Sequence, residues 1–217
     1  MIISFVNDCW HCQQLALLIV GYYVVMRLKP NTNPKARKGR LTYELIPQDI
    51  KDIAAESIGD GALEAVWRSK DDDTTFSLMW KIVDGISVGF ALYHFEELTN
   101  GNFKYRVGII DMLCVRPEYR NRSYGAIITF HVLKAMSAVG VNRIELLMRE
   151  PATKEYDEYP AMPTIGSERF LYDLGFKKVA YFPEFWKQQS QRYAYNCHVC
   201  NSIPDECTGV LMAMNEG

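Results

Sequence analysis

Apolar positions along the chain follow two periods. From residue 76 they alternate: Phe76, Leu78, Trp80 and Ile82 fall on one face of an extended segment, and Ile86, Val88, Phe90 and Leu92 on one face of the next. Asp84-Gly85 between them is a hairpin signal, because both residue types accept the positive φ of a tight turn. A second hairpin is predicted at Asn100-Gly101, leading into a long strand over residues 105–115 that ends VGIIDMLCV. The period then changes. Tyr124, Ile128, Val132, Ala135 and Val139 recur at steps of three and four, which predicts a helix over 123–139 closed by Gly140.

The same reading gives a strand at 144–148, a short helix at 167–174 ended by Gly175, a strand at 178–182 and a last strand at 192–197. Upstream, 41–46 reads as a strand. A helix starting at Pro47 and Asp49 carries Ile50, Ile53 and Ala54, and a second helix covers 60–68. The order βααβββαβαββ is an antiparallel meander followed by a βαβ unit, so the fold class is α+β.

The first forty residues differ from the rest. Residues 15–26 (LALLIVGYYVVM) form a continuous apolar run. As a helix the run would span only about 18 Å, against roughly 30 Å of bilayer core, so a buried helix or strand is expected and no membrane span. Arg27, Lys29, Lys35, Arg37, Lys38 and Arg40 follow without an acid and are broken by Pro30 and Pro34, which reads as a solvated basic linker. The division expected is 1–40 as an N-terminal extension, 41–196 as the folded domain and 197–217 as a cysteine-containing tail.

Composition narrows the class of function. The 217 residues are 48% hydrophobic and 23% charged, as in globular proteins rather than disordered or multi-span chains. Twenty-four basic against 26 acidic residues leave a net charge of −2, which argues against a general polyanion binder. No positive n-region precedes the apolar run and no small-residue cleavage site follows it, so a cytoplasmic protein is expected.

The segment IIDMLCVRPEYRNRSYGA, residues 109–126, places Arg120, Asn121, Arg122, Ser123, Tyr124 and Gly125, followed by Ala126, between a strand and an apolar-periodic helix. A helix start offers unpaired N–H groups and the positive end of the helix dipole, and the two arginines add charge-assisted donors. This is an anion site in its own right. It also resembles the pyrophosphate-binding turn, [QR]xxGx[GA], of the GNAT superfamily of acyl-CoA-dependent N-acetyltransferases, and the resemblance extends over roughly 41–195. Ser123 stands where that pattern has glycine, which is tolerable if the local φ is negative. Gly175 and Phe176 match the family's closing turn, but its tyrosine position holds Leu171, with Tyr172 one residue later, and Thr164 stands for its usual asparagine.

The resemblance implies a mixed, mostly antiparallel twisted sheet with flanking helices and a central βαβ unit that binds acetyl-CoA. It implies that Leu113, Cys114 and Val115 run along the cofactor, their backbone N–H groups also meeting the oxyanion. An alkylamine with a pKa near 10.4 must lose a proton before it attacks, and Asp111, in the strand four residues before Val115, is the candidate base, a half-buried carboxylate expected to be raised in pKa. Tyr172 is the candidate acid, with water or Tyr124 as substitutes. Cys114, inside an apolar strand, reads as an inert packing residue. His94 and His131 read as packing or surface residues. The loop after Arg149 carries Glu150, Glu155, Asp157 and Glu158 with Tyr156 and Tyr159, a composition suited to a cationic amine.

Cys9-x-x-Cys12 and Cys197-x-x-Cys200 are two half-sites of a tetrahedral zinc site if the two ends of the chain meet, with Cys207, His11 and His198 as spare ligands; otherwise they are four reduced thiols. Three functions compete. The first is an N-acetyltransferase acting on an amine of a protein, peptide or small molecule. The second, less favoured, is a nucleic-acid base modifier whose basic linker grips phosphate. The third is a degenerate domain of this fold that serves as a binding module.

Overall fold

The computed structural model of the protein describes residues 3–4, 15–20, 23–28, 43–70, 74–150, 164–193 and 208–215. These form one sheet flanked by helices. The strands are β1 (Ile3–Ser4), β2 (Leu15–Val20), β3 (Tyr23–Leu28), β4 (Phe76–Val83), β5 (Ile86–Asn100), β6 (Phe103–Val115), β7 (Arg143–Glu150), β8 (Lys177–Phe182) and β9 (Thr208–Asn215). The helices are α1 (Gln48–Ser57), α2 (Ala62–Arg68), α3 (Tyr124–Ser137), α4 (Thr164–Asp173) and α5 (Phe185–Tyr193). The sheet order is β1-β2-β3-β4-β5-β6-β7-β9-β8. Every pairing is antiparallel except β6 with β7, the two strands joined through α3.

The alternation of the meander separates two cores. Phe76, Leu78 and Trp80 of β4 with Phe90 and Leu92 of β5 bury one face against Ile50, Ile53 and Ala54 of α1 and Leu63, Ala65 and Trp67 of α2. Met79, Ala91, Tyr93 and Ile110 face the other way, against Ile128, Val132, Leu133 and Met136 of α3 and Leu171 of α4. Each fully buried large side chain in these layers, such as Phe90 or Ile128, contributes about 1.5–3 kcal/mol. At Gly108 a Cβ would lie 2.7 Å from Met136 Sδ, so a larger residue would push the Met136 side chain aside.

Three expectations fail, each for a local reason. Residues 43–46 form no strand: Tyr43 and Glu44 are helical, and the Ile46 N–H donates to the Tyr43 carbonyl in a turn. Of the strand expected at 192–197, Arg192 and Tyr193 instead close α5, and 194–197 lie outside the described residues. The strand that completes the sheet is β9, inserted between β7 and β8, so residues 208–215 belong to the sheet and not to a separate tail. The apolar run of 15–26 is split between β2 and β3, which pair with each other while β3 continues onto β4. Among the described residues no helix is long and apolar enough to cross a membrane.

Candidate active site

The central feature is where two parallel strands part. β6 and β7 pair only from Val107–Arg143 to Ile110–Leu146. Beyond that β6 runs on to Val115 beside β5, while β7 runs on to Glu150 beside β9. The Arg116 N–H donates to the Val88 carbonyl, 2.9 Å, so by the alternation of an antiparallel ladder Met112 and Cys114 turn their backbone groups to β5. Leu113 and Val115 turn theirs to the gap. Of the three residues expected along a cofactor, Cys114 therefore offers the gap no backbone donor. The Val115 carbonyl is already engaged by Ser57 Oγ at 3.3 Å and Arg120 Nε at 3.1 Å.

At the end of the gap stands the start of α3. Its first turn holds no acidic residue and receives no side-chain cap, so its N–H groups are open to an anion. Arg120, half-buried, carries a buried Nη1 with no hydrogen-bond partner, a donor that an anion would satisfy. Burial lowers the pKa of this guanidinium, while nearby Cys114 and Glu118 act to raise it. Arg122 is exposed, its guanidinium 5.6 Å from the Tyr119 ring centroid. Ser123 sits at φ +62° and Asn121 at φ +59°, so the negative φ expected to excuse a serine at 123 is not what the loop adopts. The turn is left-handed at Ser123, with the strain of an L-residue in it.

Asp111 lies at a β-bulge. Leu92 pairs with Met112 and Tyr93 with Ile110, leaving Asp111 as the extra residue. Asp111 and Met112 consequently face the same side, that of α1 and α2. There the Asp111 carboxylate is nearly closed off, 3% exposed, and meets two cations or potential cations: His94 Nδ1 at 2.5 Å from Oδ2 and Lys70 Nζ at 3.0 Å from Oδ1. His94 is itself buried, edge-on to Phe76, and its Nε2 reaches Glu96 Oε1 at 3.1 Å. The imidazole thus bridges a buried carboxylate to a half-exposed one. Sequence reading set His94 aside and did not single out Lys70 or Glu96. The signal for His94 was its place two residues past Leu92 on the alternating face of β5.

The remaining candidates divide. Burial pushes the Cys114 thiol up to about 12, opposed by Arg120 and by a hydrogen bond with Ser57, which suits a packing residue and no nucleophile. On α4, Leu171 is buried in the core and Tyr172 is 45% exposed. Cys9, Cys12, Cys197 and Cys200 lie outside the described residues, as do Glu155 to Tyr159 of the acidic loop. Among the described residues no group of three or more His, Cys, Asp or Glu could hold a metal ion.

The family described as Acetyltransferase (GNAT) matches the chain over residues 45–159. No curated protein sequence matches. Among solved structures, the IAA acetyltransferase of Bacillus cereus is similar at 10% identity and a TM-score of 0.52, over 89% of this chain and 99% of its own. The NatC complex bound to Gag peptide and CoA is similar at 10% identity and a TM-score of 0.50, again over 89% and 99%. The ribosomal-protein-S18-alanine N-acetyltransferase of Escherichia coli is similar at 11% identity and a TM-score of 0.49, over 77% and 86%.

Proposed function

Since this chain belongs to the GNAT family of acetyltransferases, we propose that it transfers an acetyl group from acetyl-CoA to an amine of a protein, peptide or small molecule by direct attack. The observation that carries this reading is the parting of β6 and β7 beside an uncapped helix start with an orphaned arginine donor. The residues present fit such a ligand. Arg120, Arg122 and the N–H groups at 123–126 would hold the pyrophosphate, and the gap-facing backbone groups of Leu113, with the Val115 N–H, would pair with the amides of the pantetheine arm. Acetyl-CoA supplies the acyl group as an activated thioester.

The chain's own residues manage charge and protons. Asp111 takes a proton from the acceptor's ammonium, leaving a neutral nitrogen able to attack. The N–H groups of Leu113 and Val115 stand along the gap where negative charge develops on the thioester oxygen. A thiolate is a far better leaving group than an alkoxide, so water suffices as its acid, with Tyr172 on the exposed side of α4 as the alternative donor. The test is calorimetric titration of acetyl-CoA into wild type and Arg122→Glu. Binding by the wild type that is lost in the variant is the expected result. A wild type that binds no acetyl-CoA would leave the fold serving as a binding module.

A further inference from the structure

The Asp111 carboxylate already has an amine on it. Lys70 Nζ lies 3.0 Å from Oδ1, the contact an acceptor ammonium must make to give up its proton. Oδ2 is held by His94 Nδ1 at 2.5 Å, so Oδ1 is the oxygen left to receive a proton. Lys70 is no core residue. It follows the Ser69 cap at the end of α2, its side chain is 27% exposed, and its four-carbon stem is flexible. Leu113, whose backbone faces the gap, lies two residues along β6 from Asp111, or about 7 Å at the rise of a strand. A swing of the flexible lysine stem would move Nζ from the carboxylate toward the gap beside Leu113.

We propose that Lys70 is itself an acceptor, acetylated within its own chain by the transfer chemistry assigned above, on which this inference rests. The step balances. The Lys70 ammonium gives one proton to Asp111, its nitrogen bonds to the acetyl carbonyl carbon, the C–S bond breaks, and a second proton from nitrogen ends on the thiolate. The products are acetyl-lysine, CoA thiol and one proton released to water. Acetylation removes the positive charge from Lys70 and with it the ion pair to Asp111. Oδ1 is then free for an incoming amine, so the first turnover opens the site to the next.

Incubation of the full chain with acetyl-CoA, followed by peptide mass mapping, tests this. The expected result is one acetyl group on Lys70, added with a first-order rate constant independent of protein concentration, absent in Lys70→Arg and slowed by about a hundredfold or more in Asp111→Asn. Three results would overturn it: an unmodified Lys70 in a protein that acetylates a small alkylamine, an apparent first-order rate constant that rises in proportion to protein concentration, or equal rate constants in wild type and Asp111→Asn. An unmodified Lys70 with no acetyl-CoA binding in the calorimeter overturns the transferase reading as well.

Discussion

Replacing Ser123 by glycine should stabilise the protein. Ser123 precedes α3 at φ +62° and ψ +9°, in the left-handed region, and its hydroxyl makes no capping bond to the helix. An L-residue there carries about 1–2 kcal/mol of steric strain that glycine lacks. Against this, glycine loses about 0.4–1 kcal/mol more backbone entropy on folding. The net gain is about 0–1.6 kcal/mol, which for a chain of this size raises the melting temperature by up to about 6 °C. Ser123→Val tests the opposite sign, because a β-branched side chain is the least compatible with positive φ. Calorimetric melts of the three proteins read the stability directly, and titration with acetyl-CoA should show the affinity of Ser123→Gly kept or tightened. A melt for Ser123→Gly below wild type, or one for Ser123→Val equal to it, would refute the argument that strain resides in this turn.

Further predictions concern the catalytic side. Asp111→Asn should lower kcat by about 10²–10⁴-fold with acetyl-CoA affinity nearly unchanged, since the carboxylate acts on the amine and not on the cofactor; equal turnover would remove Asp111 as the base. The same change leaves the Lys70 ammonium beside a neutral amide in a buried site, so a lower melting temperature should accompany it. Tyr172→Phe should cost far less than the hundredfold or so of a lost general acid, because the ring is exposed; a loss of that size in steady-state kcat would restore Tyr172 as the acid. Burial raises the Cys114 thiol from 9.0 to about 12, so the unfolded chain ionises first. The associated stability is present below pH 9 and lost as the pH rises toward 12. Urea melts should show this alkaline loss flattened in Cys114→Ala, and peptide mapping should find native Cys114 unlabelled by iodoacetamide at mildly alkaline pH.

Much of the fold is legible from alternation and turn residues. Phe76 to Ile82 and the Asp84-Gly85 turn specify β4, the loop and the start of β5 locally. The β9 strand is not legible in the same way, because GVLMAM is a nearly continuous apolar run without alternation, and its neighbours β7 and β8 lie far from it in sequence. The start of α3 was readable as an anion site from its arginines and its position after a strand. The surroundings of Asp111 were not. Strict alternation puts Asp111 and Met112 on opposite faces, and only the bulge turns both to the side of α1 and α2, where Asp111 meets His94 and Lys70. One extra residue in a strand leaves no mark in composition, yet it decides which charges meet. Lys70 reaches the site from a loop, where no periodicity constrains it.

The place of β9 bears on how the chain acquires its shape during synthesis. Among the described residues β8 pairs within the sheet only with β9, which follows it in sequence. As the chain leaves the ribosome, β4, β5 and β6 can zip together through neighbouring hairpins, but residues 177–182 have no seat until 208–215 emerge and dock on β7. Until then the outer edge of β7 exposes the main-chain groups that β9 later satisfies, and these invite pairing with another chain. A nascent protein halted before residue 208 would therefore hold a finished meander and an unfinished edge, a form more prone to aggregate than either the shorter or the complete chain.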